Sequence, residues 1–361
     1  MSETAQRLQW VDMAKGLSIL LVVMMYSAFS TGEDTGGIGV LHWVIGFATP
    51  FRMPEFFMIS GLFLSMVIGR DWKRYADRRV VHYIYFYALW ALIHIIFKEA
   101  LIARDPATAL SYIAWGIIEP YGVLWFIYML AVVSAAAKLL HDLRAPHWAV
   151  LAVAAILQMS AIHTGSYVID QFAAYFVFFY AGYALAPQIF SIADWASAHV
   201  LPAVAALAVW AVAEAALVFS PGFVIAPGHV TMGLAALPGM HLALAIIGTV
   251  ALCVLAVLLT KLAFMDWLRW LGSKSLIIYL VFVLPMGIVR TILLKLGVIT
   301  DVSAISLIVM VASIILPLIL YWLVERTGWG QFLFERPAWA HIRGTPGARQ
   351  TGAPATATPA E

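Results

Sequence analysis

Trp10-Val11-Asp12-Met13-Ala14-Lys15-Gly16-Leu17-Ser18-Ile19-Leu20-Leu21-Val22-Val23-Met24-Met25-Tyr26-Ser27-Ala28-Phe29-Ser30 opens with an acid and a base and then turns apolar. After Lys15 no charged residue appears before Glu33. A segment of this kind enters a membrane with its ionisable groups at the boundary. The one large polar group inside its apolar run is the phenol of Tyr26.

Apolar runs of about 20 residues, each enough to cross the hydrocarbon core of a bilayer, recur down the chain. The 361 residues are 63% hydrophobic and only 11% charged, whereas a soluble domain carries roughly 25% charged residues. That deficit leaves too few charges for a water-facing surface. The expected class is an all-α polytopic membrane protein. The runs are apolar on all sides, which excludes the alternating strands of about ten residues that build a membrane barrel. The single cysteine, Cys253, excludes an intrachain disulfide and a multi-cysteine metal site. The first apolar segment has no small-residue cleavage site after it and reads as a retained helix.

Ten spans are expected, at about 12–30, 52–69, 79–97, 122–140, 147–164, 168–187, 199–219, 236–260, 270–296 and 303–325. The ninth contains Pro285 and is expected to kink. Residues 107–118 read as an amphipathic interfacial stretch. An even number of spans places both termini on one side. With the N-terminus inside, 16 of the 21 Lys and Arg residues fall on the cytoplasmic side, from Arg7 and Lys15 through Arg336 to Arg349. Lys98, Arg104, Arg290 and Lys295 face outward, and Arg52 makes up the total, a bias that meets the positive-inside rule. Residues 1–343 read as a single membrane domain. Residues 344–361, rich in Ala, Pro, Thr and Gly, are expected to be a disordered cytoplasmic tail.

Asp12 and Lys15 are three residues apart and share a helix face. Arg70, Lys73, Arg74, Arg78 and Arg79 follow the second span, and His82 lies just inside the third. Such a cluster either fixes topology as a basic loop or clamps phosphates, to which guanidinium forks are matched. Arg52 and Glu55 stand at the other membrane boundary. They either satisfy each other as a pair or line a polar pocket together with Asp170, Gln171 and Arg290. Ser60 and Gly61 permit another helix to come close. Trp125 and its aromatic neighbours suit interface anchors. Glu214, near the end of its span, reads as snorkelling to water. The dispersed histidines do not compose a metal site, and no metal is expected. No nucleotide-binding or hydrolase motif occurs in a fitting context. From the residues alone, a transporter and a membrane transferase fit equally well.

Six stretches, in order, resemble the acyltransferase-3 family of bacterial membrane O-acyltransferases. They are Trp10–Ile19; Phe51-Arg52-Met53-Pro54-Glu55-Phe56-Phe57-Met58-Ile59-Ser60-Gly61; the basic entry Lys73-Arg74 with Arg78-Arg79; Leu124-Trp125-Phe126; Phe178–Tyr183; and Leu271-Gly272-Ser273-Lys274-Ser275 on to Leu280. The resemblance implies an inner-membrane, multi-pass enzyme with no bound cofactor. Its co-substrate would be acyl-CoA, and its acceptor a glycan, lipid-linked or small hydroxyl compound; the bilayer is its surroundings, and nucleic acid has no part. It further implies catalytic residues Tyr26, Lys15 and Asp12 and a donor site with Arg74, Arg78, Arg79 and His82. The acceptor side would hold Arg52, Glu55, Ser60, Trp125 and Asp170, with Tyr26 near the reaction centre. In the family a first-helix base is followed, after ten intervening residues, by a histidine. Here Lys15 takes the base position and Tyr26 the histidine position. A second histidine commonly follows the Ser…Tyr-Leu signature, and Phe282 stands there. A phenol with a pKa near 10 is a poor general base at neutral pH. The alternative to an enzyme is therefore a family member that binds or transports a lipid or glycan.

Overall fold

The computed structural model describes residues 3–349; residues 350–361 of the expected tail lie outside them. It divides into two compact units: Met1–Ser65 with Ala145–Tyr321, and Met66–Arg144 with Trp322–Glu361. The first unit opens with α1 (Glu3–Thr35), α2 (Val40–Ala48) and α3 (Arg52–Leu62). The second contains α4 (Trp72–Ala76), α5 (His82–Ile95), α6 (Pro106–Trp115) and α7 (Trp125–Asp142). Wider π-helical turns, Asp77–Val81 and Ile96–Ile102, flank α5. The first unit resumes with α8 (His147–Met159), α9 (Tyr167–Ala184), α10 (Ala186–Ala198) and α11 (Val200–Val218). A hairpin, β1 (Val224–Ala226) with β2 (His229–Thr231), leads into α12 (Pro238–Leu259). Next come α13 (Asp266–Ser273), α14 (Ser275–Val281), α15 (Val283–Leu296) and α16 (Val302–Thr327), whose end beyond Tyr321 belongs to the second unit.

Six stretches are long and apolar enough to cross a bilayer, or up to eight if the bent pairs α9–α10 and α14–α15 each count as one span. Two of the expected ten fall short of this length. The second and fifth expected spans become α3 and α8, of 11 and 13 residues. At 1.5 Å per residue these reach only about 17 and 20 Å. The sixth span breaks by 73° after Ala184, with Pro187 in the first turn of the next helix. The ninth breaks by 55° at Phe282, three residues before Pro285. Apolar composition continues through both breaks, so hydropathy alone does not reveal them. The expected amphipathic stretch is α6, started by Asp105 accepting from the Thr108 amide at 3.1 Å and by Pro106 in the first turn.

Apolar burial does not distinguish a neighbouring helix from a lipid tail, so close packing of small residues decides which helices meet. Two reciprocal glycine crossings do this in the first unit. A Cβ on Gly61 of α3 would strike the carbonyl oxygen of Phe179 on α9, and one on Gly182 of α9 would strike that of Met58 on α3. A Cβ on Gly16 of α1 would strike the Leu268 carbonyl of α13, and one on Gly272 of α13 would strike the Asp12 carbonyl of α1. Backbone atoms cannot swing aside as a side-chain tip does. Gly182→Ala is therefore expected to cost about 1–3 kcal/mol, read as a lower thermal midpoint of the purified protein. An unchanged midpoint would contradict this crossing.

The turn Pro227-Gly228 closes the hairpin, with Ala226 paired to His229. His42 ties it to α2: its Nε2 lies 3.0 Å from the Pro227 carbonyl, and its Nδ1 accepts from the Gly39 amide at 3.1 Å. A Pro-Gly turn between two short β-branched runs is the sequence signal for this hairpin.

Candidate active site

The site is built from the middle of α1 outward. Tyr26 lies eleven residues beyond Lys15, about 16 Å along the helix. Its ring meets that of Phe282, with centroids 5.5 Å apart at 47°. Phe282 is fully buried at the break between α14 and α15. The two positions at which the family resemblance expects histidines, far apart in sequence, are thus in contact.

Arg52 is the first residue of α3. Its guanidinium is within electrostatic range of the phenols of Tyr175 and Tyr26, and Tyr167 is in range of the same two phenols. Tyr175 is held flat against Phe57, with centroids 5.0 Å apart and planes 10° from parallel. One cation from α3 and three phenols from α1 and α9 thus lie within electrostatic range of one or more of the others. The Nε and Nη1 atoms of Arg52 are buried and have no hydrogen-bond partner. A cation placed at membrane depth costs roughly 2.5–3.5 kcal/mol on insertion scales, and leaving its donors unfilled adds to that cost. A guanidinium in this state suits an anion or a carbonyl oxygen gaining charge.

Arg52 and Glu55 do not pair, although their spacing allows it. Glu55 is fully buried and accepts from the Ser18 hydroxyl at 2.8 Å, while its Oε1 has no partner. The thiol of Cys253 is within its electrostatic range. The nominal acceptor group thus divides, with Arg52 turned toward the phenols and Glu55 toward Ser18. Arg290 belongs to neither, since its Nε lies 2.7 Å from the Asp34 carboxylate. Asp170 accepts at 2.8 and 2.9 Å from the amide and hydroxyl of Thr164 and so holds the turn before α9. The Ser60 hydroxyl donates to the Phe56 carbonyl of its own helix at 2.8 Å. Glu214 is completely buried rather than snorkelling, with the Trp210 indole as its hydrogen-bonding neighbour.

At the start of α1, Lys15 pairs with Asp12 at 3.2 Å, each side chain about one-third exposed, at 36% and 34%. The remaining nominal donor residues lie in the second unit. Arg74 and Arg78 are exposed, whereas Arg79 and His82 are half-buried. Arg74 pairs with Asp71 at 3.5 Å. Arg79 Nη1 donates to the Tyr83 hydroxyl at 3.4 Å. The His82 ring sits edge-on to Phe86, with centroids 5.0 Å apart. Trp125 is buried at the start of α7, beside Phe126. Among the described residues no group of three or more His, Cys, Asp or Glu side chains is arranged to hold a metal ion.

Sequence reasoning missed Tyr167 and Tyr175. Their only signal is position, two turns apart on a helix already marked by Asp170 and Gln171. His42 and His241 are engaged elsewhere. His42 ties the hairpin as described, and Nδ1 of His241 lies 2.8 Å from the Gln158 amide nitrogen.

No match was found among curated proteins or among solved structures. The family model for the acyltransferase domain of acyltransferase-3 proteins matches residues 8–322. That match covers both glycine crossings, the Tyr26–Phe282 contact and Arg52. The chain belongs to the acyltransferase-3 family, and that membership supports an acyltransferase function in general.

Proposed function

We propose that the protein is a membrane-embedded O-acyltransferase. It takes an acyl group from cytoplasmic acyl-CoA and passes it to a hydroxyl of a cell-envelope glycan or another exported acceptor. It works in the bacterial inner membrane with both termini in the cytoplasm, the orientation favoured by its lysine and arginine distribution. The observation that carries this reading is the buried guanidinium of Arg52, with two donors unfilled, beside the phenol at the family's histidine position. In the reaction the acceptor hydroxyl adds to the thioester carbonyl carbon, the C–S bond breaks, and the hydroxyl proton ends on the CoA sulfur. Arg52 and Tyr26 donate to the carbonyl oxygen as it gains charge, a role worth far more in a water-poor site than in water. Lys15, oriented by Asp12, acts on the donor, and Arg74, Arg78, Arg79 and His82 of the second unit bind its phosphates. Glu55 and Trp125 remain on the acceptor side, and Ser60 and Asp170 act there through the backbone that they hold.

One observation favours a second reading. With Tyr26 against Phe282, both histidine positions form an aromatic contact that offers no base. A member of this kind would bind or carry a lipid or glycan without transferring an acyl group. The two readings separate in purified protein reconstituted in nanodiscs, assayed for release of free CoA thiol from a panel of acyl-CoAs with hydroxyl acceptors. Acyl transfer predicts turnover, with a KM for acyl-CoA about tenfold or more higher in Lys15→Ala, since a charge-assisted hydrogen bond contributes about 1.5–3 kcal/mol. An unchanged KM would remove Lys15 from the donor site, and absence of turnover across the panel would favour the carrier.

A further inference from the structure

The segment after Thr327 lies beyond the family-matched residues 8–322, yet it is built into the second unit. The Tyr85 hydroxyl donates to the Phe332 carbonyl at 2.9 Å, and the Trp90 indole donates to the Leu333 carbonyl at 3.0 Å. The segment then meets Asp77, the first residue of the π-helical turn Asp77–Val81 that also carries Arg78 and Arg79. Arg336 engages Asp77 twice. Its Nη2 donates to Oδ2 at 2.8 Å and its Nη1 to the backbone carbonyl at 2.7 Å, both side chains being only 4% exposed. His341 Nδ1 lies 3.0 Å from Oδ2, and the Ile342 amide donates to Oδ1 at 2.8 Å. Arg336 and Asp77 balance each other in charge, and both oxygens of the carboxylate are filled from this one segment.

The residues just before the turn are pinned from another side. Tyr75 is fully buried, and its hydroxyl donates to the Ser134 carbonyl of α7 at 2.7 Å. Tyr75 and Asp77 are thus buried anchors, while Lys73, Arg74 and Arg78 around them stay exposed. A π-helical turn is a rare widening of the helix, frequent at functional sites. This one interrupts the long helical stretch Trp72–Ile102. Because Arg336 binds the main-chain carbonyl as well as the carboxylate, it fixes the path of the backbone there and not one side chain alone. Cations carried on a fixed backbone lose less freedom on meeting a ligand, and so bind it more tightly, than cations on a mobile one.

We propose that Arg336 and His341 are positioning residues for the donor. Through Asp77 they hold the π-helical turn that presents Arg78 and Arg79, so donor affinity depends on a segment outside the family-matched residues. The inference rests on the acyl-CoA reading given above. In its test, the wild type, Arg336→Gln, Arg336→Lys and His341→Gln are reconstituted in nanodiscs. The KM for acyl-CoA, kcat and equilibrium binding of radiolabelled CoA are measured on each.

Arg336→Gln is expected to weaken CoA binding and raise the KM about fivefold or more, with a smaller change in kcat. Arg336→Lys, which keeps the charge but not the fork, recovers part of the loss. A role in folding alone would reduce the fraction of active protein, and so kcat, while leaving KM and CoA affinity unchanged; that result would overturn the proposal. Arg336→Gln is then added to Arg78→Gln/Arg79→Gln. A residue that acts through this pair adds little in that background, whereas a full further loss of CoA affinity would give Arg336 a role independent of the pair and overturn the proposal. Should Arg336→Gln fail to fold, Arg336→Lys and His341→Gln carry the same comparisons. CoA binding weakened by Arg78→Gln/Arg79→Gln but unchanged in every Arg336 and His341 variant would overturn this inference and leave the donor reading standing. A wild type that binds no CoA would overturn the donor reading itself.

Discussion

Arg52→Met is expected to leave the protein folded and more heat-stable while lowering acyl transfer by about 10²–10³-fold. The two effects have one cause. Nε and Nη1 of Arg52 are buried without partners, so the resting protein bears the cost of the charge and gains little in return. Methionine removes that charge and keeps an unbranched chain of similar reach. Replacing poorly compensated buried charge with apolar side chains is often stabilising by 1–4 kcal/mol; about 1 kcal/mol or more is expected here. The same substitution removes donors from the site where the carbonyl oxygen gains charge. Thermal midpoint and thiol release, measured on one preparation, check both halves. If Arg52 served only to hold α3 against α9, methionine would lower the midpoint and turnover together.

Tyr26→Phe is expected to cost about 10²-fold in turnover with little change in stability or in the KM for acyl-CoA. The substitution keeps the ring that packs against Phe282 and removes only the hydroxyl. A hydrogen bond made more strongly in the transition state than in the ground state shows in turnover and not in donor affinity. A Tyr26→Phe protein with full activity would remove the phenol from the chemistry. Arg52 would then be left with Tyr175 as its companion. The pair of variants also separates the two readings of the protein, because a carrier has no turnover for either substitution to change.

The fold class was legible from composition, because a chain with so few charges has no way to cover a water-facing surface. The individual spans were less so. Hydropathy averages over the breaks at Leu185 and Phe282, and it extends the short helices α3 and α8 into their flanking loops. The quoted glycines were informative for a physical reason. Gly16, Gly61, Gly182 and Gly272 each stand where a neighbouring backbone carbonyl occupies the place of a Cβ.

The site was legible as a set of positions but not as a set of contacts. Arg52 and Glu55, three residues apart, could have formed a pair by spacing alone. The partners on other helices decided otherwise, with Ser18 taking Glu55 and the phenols of Tyr175 and Tyr26 in electrostatic range of Arg52. Contact between Tyr26 and Phe282 depends on the bend between α14 and α15, which Pro285 signals, while no local pattern shows that the bend brings Phe282 to α1. The C-terminal cluster was hidden for a different reason. Arg336 and His341 sit in a stretch with no periodicity, and only the fold brings them to Asp77.

The central claim is that acyl transfer occurs at Arg52 and Tyr26. The most direct measurement is transfer of labelled acyl from a panel of acyl-CoAs to hydroxyl acceptors by the wild type, Arg52→Met and Tyr26→Phe in nanodiscs. Label reaching acceptor in the wild type, falling by about 10² or more in both variants while each stays folded, is the predicted result. Label transfer that persists undiminished in both variants would contradict the claim.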